Sequence, residues 1–233
     1  MRIPEMYTDG EYLRRNPTWD IEDSPFKAGW IEDMISKNKL NPQTICEIGC
    51  GAGEILKILN EKMSGSCSFT GYEISPQAHS ICSQKENGSL KFLLMDFLDE
   101  EDVFFDLILM IDVIEHLEDY FSFLRKIKEK GEYKILHIPL EFFAMAAIYH
   151  NFSINQRKNV GHLHTFSKDT ALMMLNELDY EVIDWFYTAG FSTGRDYGIK
   201  DKLISIPRKL LYPLAPDLTV RIFGGYSLMV LVK

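Results

Sequence analysis

Short apolar runs recur along this chain, each closed by an acid or a proline and each followed by a stretch with helical spacing. Thr44-Ile45-Cys46 ends at Glu47, Ser68 to Tyr72 at Glu73, Leu90 to Met95 at Asp96, Phe105 to Ile111 at Asp112, and Tyr133 to Ile138 at Pro139. Each run predicts a strand. The nearly unbroken apolar stretch from Phe105 to Ile111 predicts a central parallel strand covered on both faces. Between the strands, Ile55, Leu56, Ile58 and Leu59 mark a first crossover helix, and Phe121, Phe123, Leu124 and Ile127 mark a later one. Ser24-Pro25 predicts a helix start with Ser24 as N-cap and Pro25 in the first turn, and Ser75-Pro76 repeats that signal. Phe26, Trp30, Ile31, Met34 and Ile35 then share one face at the 3.6 period. Ser167 caps a helix through Ala171, Leu172 and Leu175, Glu181-Val182-Ile183 begins another strand, and Tyr226 to Val232 forms a terminal one. Strands and helices alternating at this rhythm imply right-handed crossovers and an α/β, doubly wound, mostly parallel sheet.

The organisation predicted is a single domain: an N-terminal arm and helix over 1–40, a core over 43–188, a lid or insertion over 190–225 and the terminal strand over 226–232. Residues 1–23 are rich in Tyr, Trp, Asn and Asp without clean periodicity, so they read as an arm or lid and not as a core element. The chain has 233 residues, 46% hydrophobic and 25% charged, an ordinary globular balance. Its net charge of −9 argues against a nucleic-acid partner, because phosphate binding needs a positive surface. Cys46, Cys50, Cys67 and Cys82 show neither a CxxC pair nor zinc spacing, which predicts reduced thiols and a cytoplasmic location. No apolar run approaches the ~18 residues of a membrane span.

Glu47-Ile48-Gly49-Cys50-Gly51-Ala52-Gly53 carries the chemistry. A strand, a turn with three alternating glycines and a helix make the first βα unit of a nucleotide-binding sheet, where bare backbone meets the ligand. Ligands in such sheets lie outside the carboxyl ends of the strands, and here four successive ends carry Glu47, Glu73, Asp96 and Asp112. Acids around a glycine turn suit a ligand with hydroxyls, an amine and a cationic centre. They suit a pyrophosphate poorly. The nicotinamide-binding turn is G-x-G-x-x-G, whereas this chain reads Gly49-x-Gly51-x-Gly53 behind an acid, and no second mononucleotide half follows.

Cys46 to Gly53 resembles the first motif of the class I S-adenosylmethionine-dependent methyltransferases, and Gly71-Tyr72-Glu73-Ile74-Ser75 resembles the second. Glu73 lies 20 residues beyond Gly53, a spacing that suits a carboxylate on both ribose hydroxyls. Met95-Asp96-Phe97 resembles the segment in which an acid meets the adenine amino group and the next side chain lies against the ring. Phe105-Asp106-Leu107-Ile108 through Asp112-Val113-Ile114-Glu115-His116-Leu117 resembles the strand-four motif of the small-molecule branch. The resemblance covers roughly 43–185 in order. It implies a seven-stranded Rossmann-like sheet with an antiparallel last strand, S-adenosyl-L-methionine as cofactor, and Glu47, Gly49, Cys50, Gly51, Gly53, Glu73, Ile74, Asp96, Phe97 and Asp112 as cofactor-binding residues.

Methyl transfer to oxygen also needs a base, and histidine suits neutral pH. His162-Leu163-His164-Thr165-Phe166-Ser167 resembles a segment of small-molecule O-methyltransferases whose first histidine faces the acceptor, so His162 is the first candidate base. His116 and His137 are second. His79 and His150 read as surface residues. A metal at His162-x-His164 is disfavoured because alternate residues of an extended segment point apart, so no metal is expected and activity should survive a chelator. The Asp/Asn-Pro-Pro-aromatic motif of amino-methylating nucleic-acid enzymes is replaced by Asp112-Val113-Ile114-Glu115. The expected acceptor is a small molecule or glycan: a sugar, nucleotide-sugar or lipid-linked intermediate for O-methylation, or another metabolite for N- or C-methylation. A non-catalytic binding protein on the same scaffold is the reading outside enzymes. Tyr7 to Trp19 and the segment 195–221 are placed to choose the acceptor. The latter has six basic residues (Arg195, Lys200, Lys202, Arg208, Lys209, Arg221) against Asp196, Asp201 and Asp217, interleaved with Ile204, Ile206, Leu210, Leu211 and Leu214. It reads first as a helical lid with a solvated face, and second as a surface for a phosphate-bearing or lipid-linked acceptor at a membrane.

Overall fold

The structure is a computed structural model describing residues 3–63, 65, 67–149, 151–190 and 199–233, the side chains of 3–5 and 199–204 excepted. Among the described residues, seven strands form one sheet: β1 (Thr44–Ile48), β2 (Ser68–Glu73), β3 (Leu90–Leu94), β4 (Phe105–Ile111), β5 (Gly131–Pro139), β6 (Val182–Ala189) and β7 (Tyr226–Val232). Their order is β3-β2-β1-β4-β5-β7-β6. Strands β1 to β5 pair in parallel, while β7 runs antiparallel to both β5 and β6. The order reverses between β1 and β4. That is the switch point at which an open α/β sheet leaves a crevice at its carboxyl edge.

The period of two along each strand splits the core into two layers. Leu107, Leu109 and Ile111 of β4 face a layer built with α3 (Ser24–Lys37), α4 (Glu54–Lys62) and α5 (Pro76–Cys82). Ile108 and Met110 face the opposite layer, built with α6 (Tyr120–Lys128) and α9 (Lys168–Glu177). Both faces of β4 are therefore dry, as its apolar run requires.

Local signals hold where a side chain does the capping. Ser75 Oγ accepts the Ala78 N–H at 3.3 Å, and Ser167 and Thr170 form a reciprocal capping box. At α3 the expectation fails. A 3-10 turn over Ile21–Asp23 runs directly into the helix, so Ser24 is already inside it and Asp23 takes the cap position without its side chain capping the helix. The buried face of α3 is Ala28, Ile31, Met34 and Ile35, and Phe26 points outward.

The arm folds as α1 (Ile3–Thr8) and α2 (Glu11–Arg15), followed by the turn at Ile21–Asp23. Two helices without a sequence signal, α7 (Ala144–Ile148) and α8 (Phe152–Asn159), follow β5. The lid is α10 (Ile199–Leu211) and α11 (Pro216–Phe223). Arg195 and Asp196 lie outside the described residues, as do His150 and the side chains of Lys200, Asp201, Lys202 and Ile204. Of the other charges in this segment, Arg208 donates to the Phe223 carbonyl at 2.6 Å, Arg221 pairs with Asp169 at 2.8 Å and Asp217 pairs with Lys168 at 2.7 Å, while Lys209 is exposed. Ile206, Leu210, Leu211 and Leu214 are exposed. No described helix is long and apolar enough to cross a membrane.

Gly53 closes the β1–α4 turn at φ +72°, and a Cβ there would sit 2.6 Å from two Phe92 ring atoms and 2.7 Å from Cys82 Cβ. Gly53→Ala should combine left-handed strain with overpacking, each about 1–3 kcal/mol. We expect Tm to fall by roughly 4–24 °C, at about 2–4 °C per kcal/mol. Thermal denaturation with an unshifted Tm would show that this turn relaxes freely.

Candidate active site

Two cavities open at the carboxyl edge of β1, β2, β3 and β4, of about 410 and 390 Å³. Gly49, Ile74, Val113 and Leu117 line both, so they are two ends of one cleft. The smaller end is bounded by Tyr72, Met95, Asp96, Phe97 and Leu98. The larger is bounded by Glu47, Gly51, Glu73, Asp112, His116 and His162, with Tyr7, Tyr12, Trp19, Asp20 and Asp23 of the arm as its outer wall.

Glu73 ends β2 and is buried. Its Oε2 accepts the Gly51 N–H and its Oε1 the Ser75 N–H, each at 2.8 Å, which fixes the carboxylate across the glycine turn. Burial raises its pKa even against those bonds. Glu47, 2% exposed, keeps Oε2 without a hydrogen-bond partner among the described residues. Burial holds its carboxyl well above the usual range, although Lys27 opposes this. An unpartnered buried carboxylate is costly and calls for a cationic or N–H-bearing ligand. A Cβ on Gly51 would meet only the Trp19 ring, at 3.8 Å, so bare backbone faces the cleft there. Asp96 Oδ1 accepts the Leu98 N–H at 2.9 Å, and Phe97 lies edge-on to Tyr72, with ring centres 4.9 Å apart. Ile74 stands 44% exposed between the two ends. A buried acid with an unpartnered oxygen, a bare turn, a carboxylate fixed by two backbone N–H groups and an apolar slot fit S-adenosylmethionine.

Two expected cofactor residues do not reach the cleft. The Cys50 side chain packs into the core, its N–H donates to the Tyr72 carbonyl at 3.1 Å, and Gly53 faces Phe92 and Cys82; neither lines a cavity. Their place in the motif is to shape the turn.

At the far wall of the larger end, His116 and His162 stand with ring centres 4.8 Å apart. The Leu163 and His164 N–H groups donate to the Glu115 carbonyl at 2.7 and 3.2 Å, which brings the segment after α8 onto the end of β4. One donor atom from each of Glu115, His116 and His162 lies within 4.8 Å of the other two. Glu115 is 1% exposed, and both its carboxylate oxygens are unpartnered among the described residues. Burial, with Asp112 adding, holds its carboxyl well above the usual range. His116 is pushed down to about 4 by burial and by His162. Its Nδ1 lies 2.8 Å from the Tyr7 hydroxyl, which itself donates to the Val160 carbonyl at 3.1 Å. Gly161, at φ +85°, lets the chain pass where a Cβ would come 2.6 Å from Met6 Cε and 3.0 Å from the Tyr7 hydroxyl. His162 Nδ1 is 2.9 Å from Glu141 Oε2, a close contact not aligned as a hydrogen bond. Gln156 donates to the other oxygen of Glu141.

His137 does not face this wall. Its Nδ1 is 2.6 Å from Asp112 Oδ1 and its Nε2 is 2.8 Å from the Thr188 hydroxyl, while Trp30 stacks on the ring at 5.9 Å. It lines neither cavity, and both ring nitrogens meet protein partners, unlike those expected of the second-choice candidate base. Asp112 also receives Lys27 at 2.7 Å. Burial disfavours its charge, but His137 and Lys27 overcome that and hold the carboxyl far below the usual range. Asp112, Trp19 and Asp20 all sit at positive φ (56°, 50° and 56°), a strain of about 1–3 kcal/mol each that concentrates at functional sites. His164 faces elsewhere: its Nε2 contacts the Leu117 carbonyl at 2.9 Å. His79 is bound to the Phe92 carbonyl at 3.3 Å.

Lys27, Glu115, Glu141 and Gln156 were not among the sequence candidates. Glu115 had a signal, since it sits beside His116 in the strand-four motif. The other three reach the site only through tertiary packing.

A sequence profile described as "Methyltransferase domain" matches residues 26–184. No curated protein matches the chain. Among solved structures it is similar to magnesium protoporphyrin IX methyltransferase from Synechocystis PCC 6803 with bound SAH, at 12% identity, TM-score 0.60, 98% of this chain and 95% of that one. It is also similar to coclaurine N-methyltransferase bound to N-methylheliamine and SAH (15%, TM-score 0.61, 88% and 72%). A third is the plantazolicin methyltransferase BpumL with SAH (16%, TM-score 0.57, 100% and 94%). With its motifs in order, its sheet and a cleft suited to that cofactor, the chain belongs to the methyltransferase-domain family and is a class I S-adenosylmethionine-dependent enzyme.

Proposed function

We propose that this methyltransferase O-methylates a small polar acceptor: a sugar, nucleotide-sugar or lipid-linked glycan intermediate in the cytoplasm. The observation that carries this is the far wall of the cleft, where two imidazoles and a buried carboxylate converge beneath the aromatic arm. Tyr7, Tyr12 and Trp19 offer ring faces for a sugar, and Gln156 offers an amide. Asp20 and Asp23 on the same wall favour an amine acceptor as the second reading.

Glu73 takes the ribose hydroxyls, Asp96 with Phe97 and Ile74 takes the adenine, Gly49 and Gly51 offer bare backbone, and Glu47 faces the cationic methionine end. When bound, S-adenosylmethionine supplies a methyl on a sulfonium: the O–C bond forms, the C–S bond breaks, and its electron pair stays on sulfur. Asp112 is held by Lys27 and His137 and stiffens the wall between the two ends. The acceptor hydroxyl gives up its proton at the group formed by Glu115, His116 and His162, with His162 nearest to the role of base. Holding acceptor and methyl in line can contribute up to ~7–11 kcal/mol.

A labelled-methyl screen against sugar nucleotides and cell-envelope extracts tests the acceptor class, and labelling confined to amines would select the second reading. Isothermal titration should detect S-adenosylmethionine and not NADH. Glu73→Ala should weaken that binding more than tenfold, consistent with ~1.5–3 kcal/mol of charge-assisted bonding; unchanged affinity removes Glu73 from the site. Glu47→Gln should act in two directions, weakening cofactor binding by a similar factor while raising the Tm of the ligand-free protein. A carboxyl whose folded pKa is raised costs the fold stability as pH climbs from the unfolded pKa towards the folded one. The gain should therefore be clear at about pH 8 and vanish at about pH 3, well below the unfolded value of about 4.3, where glutamate is protonated in both states. His162→Ala should lower turnover by ~10²–10⁴-fold with cofactor affinity intact; normal turnover eliminates it as the base.

A further inference from the structure

We propose that Glu115, His116 and His162 form a divalent metal site, taking a borderline cation such as Mn²⁺, Co²⁺ or Zn²⁺, at the acceptor end of the cleft. The inference rests on reading that end as the place where the acceptor binds, and it reverses the expectation of a metal-free enzyme.

The donor set has the right composition and enclosure. Two imidazoles and one carboxylate favour first-row transition ions, whereas Mg²⁺ prefers oxygen ligands alone. The three donor atoms lie within 4.8 Å of one another, and His116 Nε2 is 3.9 Å from Glu115 Oε1. Ligands bound at about 2.0–2.2 Å to one ion lie up to about 4.4 Å apart, so small side-chain rotations close the set. Glu115 supplies an independent sign of a missing cation. It is 1% exposed, neither oxygen has a hydrogen-bond partner among the described residues, and its neighbourhood includes Asp112 and Glu141.

The surrounding shell orients the donors. The Tyr7 hydroxyl lies between the Val160 carbonyl, at 3.1 Å, and His116 Nδ1, at 2.8 Å; when its proton goes to Val160 it accepts from Nδ1–H, the arrangement that leaves the Nε2 lone pair toward Glu115. On His162, the Glu141 carboxylate lies 2.9 Å from Nδ1 without hydrogen-bond alignment, so its charge alone draws the ring proton to that side. An imidazole whose second nitrogen meets a carboxylate or hydroxyl is the usual outer shell of a metal ligand. The bonds from Leu163 and His164 N–H to the Glu115 carbonyl clamp the two ligand-bearing segments together. Three protein donors leave positions open, and His116 and His162 line the larger cavity.

In those open positions the cation would hold the acceptor hydroxyl and lower its pKa. With the metal bound, His162 would serve as a ligand in place of acting as the base, the proton would pass to water, the oxygen would keep its electron pair to form the O–C bond, and the C–S pair would remain on sulfur.

The test uses the whole protein, stripped with EDTA and titrated with MnCl₂ alone while the free-ion signal is followed by electron paramagnetic resonance. One tight Mn²⁺ per chain is expected. Glu115→Gln and His116→Ala should each weaken it by at least ~10-fold, and Tyr7→Phe, which frees the His116 tautomer, by about 10-fold. Retained S-adenosylmethionine binding certifies that each variant is folded. No Mn²⁺ binding below millimolar concentration, or binding unchanged in both Glu115→Gln and His116→Ala, overturns the site. Failure of the metal with His162→Ala still impairing turnover leaves the acceptor-end reading standing. Metal binding with turnover indifferent to His162 sinks that reading and keeps the site.

Discussion

A carboxylate removed from water costs several kcal/mol unless charge or hydrogen bonds replace its hydration, and the carboxyl edge of this sheet gathers acids in low-dielectric surroundings. How each one is compensated sorts their roles. Asp112 has Lys27 and His137 and is stably ionised. Glu73 has two backbone N–H donors from the glycine turn and the α5 entry. Glu47 and Glu115 retain oxygens without a hydrogen-bond partner among the described residues, Glu47 on the lining of the larger cavity and Glu115 beside His116. Lys27 acts on both only through space, so these two are the least compensated acids of the edge.

The Lys27–Asp112–His137 network also explains why an N-terminal helix matters to a site built on the sheet. Lys27 and Trp30 come from α3, Asp112 follows β4, His137 lies on β5 and Thr188 on β6. One cluster therefore fastens the helix against the strand ends and holds Asp112 in its strained conformation. His137 looked like a catalytic candidate because it ends a strand beside the cleft. Its ring is instead enclosed by partners on both nitrogens.

Much of the scaffold was legible because its signals are local. Apolar runs ending in acids marked β1 to β4, and Ser75 and Ser167 cap their helices with their own side chains. Ser24 misled because the preceding turn was already helical. Helices α7 and α8 escaped because they are short and bury no face of their own. The acceptor wall was half visible: His116 and His162 stood out as histidines, while Glu115, their neighbour in space, was passed over as a letter of a motif. The residues just after His162, Leu163 and His164, donate to the Glu115 carbonyl from 48 and 49 positions away, and no periodicity encodes such a clamp. The pair that spacing did offer, His162 and His164, is separated by the fold, with His164 turned to the Leu117 carbonyl.

The hydroxyl of Tyr7 belongs to the arm, yet it lies 2.8 Å from His116 Nδ1 and donates to the Val160 carbonyl at 3.1 Å. The first helix thus shares a contact with a ring that lines the far wall of the cleft. A substitution confined to the arm therefore changes the surroundings of that imidazole without touching the sheet that carries it.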